Sequence, residues 1–150
     1  MQKQNILLFA GIALVASLDF FVKFLARKFL VPAQTVEIFP FLKLEFTQNS
    51  NLAFGIPFPR SLIILLSIFA IIFLGNLFVK NVKKESKIGV VAFALLLGGA
   101  FGNLTERIFF GKVTDFISLS IIPNFNLADA ALTIGITLLI IFHRRIFKKI

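Results

Sequence analysis

The sequence predicts an all-α membrane protein: four transmembrane helices with a small extracytoplasmic β-sheet on the outer face, forming one membrane-embedded domain over residues 1–150. Three observations predict it. Of 150 residues, 58% are hydrophobic and only 15% charged, and the mean hydropathy is +0.95. A soluble fold of this size has too little interior to hide that much apolar surface. Four apolar stretches approach the roughly 20 helical residues that cross a hydrocarbon core. The basic residues that give a net charge of +9 cluster at the ends of those stretches, as membrane flanks do and nucleic-acid surfaces do not.

The first span is expected over 6–26. Lys3 precedes it as in a signal peptide, but the apolar run outlasts the usual 7–15 residues and no small-x-small site follows. The remaining spans are expected over 62–79, 88–107 and 127–142, the fourth being the shortest, with outer loops at 27–61 and 108–126. Lys80, Lys83, Lys84 and Lys87 fill the short second connection, and Arg144, Arg145, Lys148 and Lys149 fill the C-terminal end. By the positive-inside rule these segments and the N-terminus are cytoplasmic, and the protein is expected in the bacterial inner membrane. His143 beside Arg144 reads as a cytoplasmic flank.

In the first outer loop, Leu42, Leu44 and Phe46 alternate with Lys43, Glu45 and Thr47, the period of a half-buried strand. Val36 and Ile38 suggest a partner strand. The second outer loop alternates less clearly and is expected to turn around Pro123-Asn124. The usual interfacial Trp/Tyr belt is missing, since the chain has 21 Phe but neither Trp nor Tyr.

Composition also narrows the chemistry. With no cysteine and one histidine, a thiol nucleophile, a disulfide framework, a Ser-His-Asp triad and a multi-histidine metal site are disfavoured; no metal and no cofactor are expected. The only aspartates are Asp19, Asp115 and Asp129. Asp19 lies 13 residues beyond Ile6, about 20 Å along a helix, towards the outer leaflet. Lys23 is one turn further. Asn103 and Arg107 close the third span, Asp129 opens the fourth, and Asp115 lies between. Four stretches of chain thus deliver polar groups to one level, where ionisable groups are costly and usually functional.

Each group also has a structural reading. Asp19 and Lys23, at i,i+4, neutralise each other; Arg107 snorkels; Asp129 answers the helix dipole; Asp115 is a solvated loop acid; Gly98 and Gly102 let helices approach. Against these stands the pairing of Asp115 with Asp129. Two carboxylates brought together share a proton, and such a pair activates water against a carbonyl and then protonates the leaving amine, without metal or nucleophilic side chain.

At these residues the sequence resembles the lipoprotein signal peptidase (signal peptidase II) family, in four blocks and in the family's order. They are Asp19 to Lys23; Asn49-Ser50-Asn51-Leu52-Ala53-Phe54-Gly55; Gly98-Gly99-Ala100-Phe101-Gly102-Asn103-Leu104-Thr105-Glu106-Arg107; and Val113-Thr114-Asp115-Phe116 followed by Phe125-Asn126-Leu127-Ala128-Asp129. Two positions depart from the pattern: Asn51 stands where the family has Gly, and Glu106 where it has Asp. The resemblance implies an aspartic endopeptidase that cuts diacylglyceryl-modified prolipoproteins before the lipidated cysteine. It implies Asp115 and Asp129 as the catalytic dyad, Asn49, Asn103, Arg107, Asn126 and Ala128 lining or ordering the site, and Asp19 and Lys23 supporting it. The implied partners are the lipid-modified prolipoprotein, membrane lipid and a globomycin-type inhibitor, with no nucleic acid, on a monomeric enzyme whose site lies near the outer face.

Three other classes fit the composition. A small four-helix transporter or proton-coupled channel would use Asp19, Lys23 and Arg107 as a charge relay near the midplane, with an inverted repeat; neither feature is evident. A Mg²⁺-dependent lipid transferase would want carboxylates closely spaced on one helix. A purely structural subunit gives no reason for all three aspartates to fall in the matching blocks.

Overall fold

A computed structural model of the chain describes residues 2–30, 35–50, 58–83 and 85–148. Asn51 to Gly55, the greater part of the second family-like block, lie outside the described residues.

The apolar runs become helices whose ends are set by polar and capping residues. Helix α1 spans Gln2–Phe29, longer at both ends than expected, with Arg27 and Lys28 in its last turn. Helix α2 spans Arg60–Asn81. Helix α3 spans Lys87–Phe109; Ser86 caps it by accepting from the Gly89 N–H at 3.0 Å. Helix α4 spans Leu127–Ile141, and a short helix α5 follows at His143–Ile146. Among the described residues, α1, α2 and α3 are long and apolar enough to cross a membrane. The 15 residues of α4 extend only about 22 Å, less than a hydrocarbon core of about 30 Å.

Helix α3 is the central post, packed by α1, α2 and α4. Most of its length is buried, whereas α2 buries only Ile63 and Phe78. The outward faces carry large apolar side chains such as Phe9, Phe69, Ile72 and Ile140. In water that surface would be a gross liability; in lipid it is the solvated face. Close helix contact comes from small residues, as expected for Gly98 and Gly102. A Cβ at Gly98 would stand 2.6 Å from the Val15 Cβ, and one at Gly102 would stand 2.5 Å from Asp19 Oδ2.

The connections form one four-stranded antiparallel sheet of order β1-β2-β3-β4: β1 Thr35–Phe39, β2 Leu42–Asn49, β3 Val113–Leu119 and β4 Ile122–Phe125. The expected hairpin pairs Val36 with Leu44 and Glu37 with Lys43. Two expectations are corrected. The second connection is also a hairpin, and its turn falls at Ser120-Ile121 rather than Pro123-Asn124, which lie within β4. Alternation does not become one-sided burial either: β1 is exposed along its whole length, and the first four residues of β3 are all buried. Strand β3 packs against α1 and α3 while paired on both edges, so both its faces are covered. Pro123 is accommodated because β4 is an edge strand with no ladder bond to lose on its outer side.

Candidate active site

Asp115 and Asp129 line one cavity of about 740 Å³, together with Asn49 and Arg107. Asp115 sits on β3 and Asp129 in the first turn of α4, so the β4 hairpin returns the chain from one to the other. Asn126, between β4 and α4, touches both. Its Nδ2 donates to Asp115 Oδ1 at 2.7 Å, and its Oδ1 accepts from the Asp129 N–H at 2.9 Å. Asp129 Oδ2 answers by accepting from the Asn126 N–H at 3.3 Å, completing a capping box. The dipole reading of Asp129 therefore holds, and the same carboxylate still faces the cavity.

The second Asp129 oxygen, Oδ1, accepts from Asn103 Nδ2 at 2.8 Å. Asn103 Oδ1 in turn accepts from Lys23 Nζ at 2.9 Å and Asn126 Nδ2 at 3.2 Å. One amide from α3 thus ties α1 to α4.

Asp115 is not a solvated loop acid: it is only 3% exposed. Its carboxyl accepts a side-chain hydrogen bond from Asn49, and its carbonyl accepts from Thr47 Oγ1 at 2.9 Å. Burial pushes its pKa up to about 6, and the nearby Asp129 charge adds to the rise. The hydrogen bonds from Asn126 and Asn49 and the Lys23 charge pull in the opposite direction without cancelling it.

Asp19 and Lys23 are fully buried and paired at 2.8 Å. They do more than neutralise each other. Asp19 Oδ1 accepts the Ala128 N–H at 2.9 Å, which fixes the start of α4 one residue before Asp129. Ala128 itself has no exposed surface, and its part in the network is this backbone donor. Arg107 is held through its backbone: Arg60 Nε donates to its carbonyl at 3.0 Å, and Arg60 Nη2 donates to the Ile108 carbonyl at 2.9 Å. A cation thereby caps the last turn of α3.

Sequence reasoning missed a second network beside the first. Glu106, noted only as a departure from a pattern, is fully buried. It accepts from the Thr114 N–H at 2.8 Å and the Thr114 hydroxyl at 3.0 Å. Lys23 Nζ lies 3.2 Å from its Oε2, and Arg27 pairs with its Oε1. Thr114 and Arg27 were not singled out. The cost of any ionisable group within a span was the signal that would have found Glu106 and its partners. Among the described residues no three His, Cys, Asp or Glu side chains form a metal-holding group.

The arrangement brings two carboxyl groups to one cavity, one of them biased towards its protonated form. Amide donors fix them, and apart from Asn124 and Thr133 the cavity's remaining wall is apolar, including Ile122, Phe125, Leu132, Ile134 and Ile136. Such a pair has the chemistry to offer one acid and one base to a peptide carbonyl and a water molecule.

The chain is similar to known proteins along most of its length. The sequence model of a family described as signal peptidase (SPase) II matches residues 11–145. The lipoprotein signal peptidase of Chlorobium phaeobacteroides (strain BS1) is 38% identical over 160 residues, covering 95% of this chain and 99% of that protein. The lipoprotein signal peptidase of Aquifex aeolicus (strain VF5) is 41% identical over 132 residues, covering 83% of this chain and 77% of the relative. A solved bacterial membrane enzyme superposes with a TM-score of 0.81 at 29% identity, covering 92% of this chain and 87% of its own. A second, also a bacterial membrane enzyme, gives 0.78 at 30% identity, covering 89% and 90%.

Proposed function

This chain belongs to the signal peptidase II family, and from that premise we propose that it works as an aspartic endopeptidase with Asp115 and Asp129 as its catalytic pair. Its function is lipoprotein signal peptide cleavage, on a prolipoprotein substrate, within a membrane. The transporter reading finds no support among the relatives.

One observation carries the dyad: carboxylates from two different elements, β3 and α4, line a single cavity, and one asparagine side chain bonds to both residues. In the proposed reaction Asp129 takes a proton from water, whose oxygen attacks the scissile carbonyl carbon. Asp115, favoured in its protonated form, donates to the carbonyl oxygen. The proton held by Asp129 then passes to the leaving nitrogen as the C–N bond breaks, and Asp115 takes back a proton from a hydroxyl of the tetrahedral intermediate as the product carboxyl forms, so the pair again holds one proton. Asn49, Asn103 and Asn126 hold the carboxyl groups, Arg107 lines the cavity, and Asp19, Lys23 and Ala128 fix the α1–α4 junction.

The substrate's diacylglyceryl group suits the apolar wall formed by Phe125, Leu132 and Ile136, and the family resemblance implies that the scissile bond lies before the lipid-bearing cysteine. A globomycin-type peptide inhibitor would occupy the same cavity. The distribution of Lys and Arg supports four crossings of the bacterial inner membrane, with both termini inside and the sheet and site near the outer face. Helix α4 then crosses by local thinning or with flanking α5 at the interface. The enzyme acts as a monomer.

The test is cleavage of a lipidated proprotein by the purified chain. Asp115→Asn and Asp129→Asn should each abolish cleavage while leaving helical content and thermal unfolding near those of the parent, and a chelator should not inhibit. Processing by either variant near the parent rate would remove the dyad.

A further inference from the structure

The pole opposite Asp115 and Asp129 carries a built cavity that peptide cleavage does not use. The chain after α5 lies antiparallel to the chain after α2, bridging Val82 with Phe147. The Lys83 N–H donates to the Ile146 carbonyl at 2.9 Å and the Lys148 N–H to the Asn81 carbonyl at 2.9 Å. Ile146 is fully buried beneath this clasp, and Gln4 Nε2 reaches across from α1 to the Lys83 carbonyl at 3.0 Å. The clasp is therefore a fixed wall.

Against that wall lies a cavity of about 830 Å³, within the size range of small-ligand sites. Its floor is Leu77, in the last turns of α2, and Phe147; its rim is Asn81, Lys83, His143, Arg144 and Lys148. Among the described residues no carboxylate lines it. Two of the cations are already oriented. Lys83 Nζ donates to the Arg144 carbonyl at 2.7 Å and Lys148 Nζ to the Lys80 carbonyl at 2.7 Å. Arg144 is exposed, and its guanidinium carries five donors suited to a phosphate oxygen pair.

We propose that this cavity binds one anionic phospholipid, its phosphate held by Arg144, Lys83 and Lys148 and the start of an acyl chain laid on Leu77 and Phe147. The chemistry selects that ligand. A cationic rim at the end of an apolar span lies where headgroups lie. An apolar floor continuous with α2 suits a chain that leaves the headgroup along the helix. A soluble anion would use the rim and leave the floor idle.

The full chain in zwitterionic detergent is titrated with phosphatidylglycerol, phosphatidylcholine and soluble glycerol phosphate, and bound ligand is counted by native mass spectrometry. One phosphatidylglycerol per chain is expected, held about tenfold more tightly than phosphatidylcholine. Arg144→Gln with Lys148→Gln should abolish that preference. Lys28→Gln with Lys112→Gln, an equal loss of charge at the other pole, should keep it. All variants should retain cleavage activity, which reports folding. If the first pair lowers activity, the single change Arg144→Gln, which leaves the clasp bonds intact, carries the comparison. Equal retention by both double variants, equal loss by both, or glycerol phosphate binding as tightly as the lipid would overturn the proposal.

Discussion

Glu106 grips Thr114 twice, through the backbone N–H at 2.8 Å and the hydroxyl at 3.0 Å, although the two residues belong to different elements. Because Thr114 immediately precedes Asp115, this grip fixes where β3 presents the carboxyl. The same Glu106 carboxylate pairs with Arg27 and shares Lys23 with Asp19. Glu106→Gln keeps the shape and removes the charge, leaving a buried ammonium with less compensation. The expected cost is about 3 kcal/mol of stability, with lower cleavage. Glu106→Asp, which restores the charge one methylene short, should recover more activity than Gln. Thermal unfolding and turnover measured together check this, and equal activity of the two variants would contradict a role for the charge.

The raised pKa of Asp115 sets a sign for pH dependence. Its carboxyl holds a proton up to about pH 6, so the acid form required for proton donation is lost above that value. The plot of kcat/KM in the free enzyme should show an alkaline limb near pH 6. The Asn49 hydrogen bond favours the ionised form, so Asn49→Ala should move the limb to higher pH. A shift to lower pH would show that the limb belongs to another group. Stability carries the same linkage. The folded chain binds the Asp115 proton more tightly than the unfolded chain, so this carboxyl's contribution falls as pH rises from about 4 to about 6.

Gly102 faces Asp19 with no space between them. Gly102→Ala would place its methyl 2.5 Å from Asp19 Oδ2, forcing the carboxylate away from Lys23 and from the Ala128 N–H. Overpacking of this kind costs about 1–3 kcal/mol, and here it acts on the α4 N-terminus that carries Asp129. Cleavage should fall with it. At Gly75, where a Cβ meets nothing within 4 Å, Ala should be neutral in the same assays.

Asp19→Asn keeps an acceptor for the Ala128 N–H but removes the charge that faces Lys23 at 2.8 Å. Activity should drop less than on replacement of Asp115 or Asp129, because Asp19 acts through the position of α4. Total loss of cleavage in a fully folded Asp19→Asn variant would place Asp19 in the chemistry.

The apolar helices, the first hairpin and the gathering of polar groups at one level were legible in the residues alone. Each follows from local rules: lipid demands a long apolar run, and a strand writes its period into neighbouring residues. The fourth block was legible through the family resemblance, and the capping box that joins Asn126 to Asp129 emerged only with the structure. Tertiary structure decided the rest. Strand β3 hid its period because both faces are covered, so Val113, Thr114, Asp115 and Phe116 are buried together. The turn moved from Pro123 to Ser120 because an edge strand tolerates proline. Glu106 became a hub only when α1 brought Lys23 and Arg27 beside it, some 80 residues away along the chain. A buried charge is stabilised by groups that folding brings to it, and no local pattern records which groups those are.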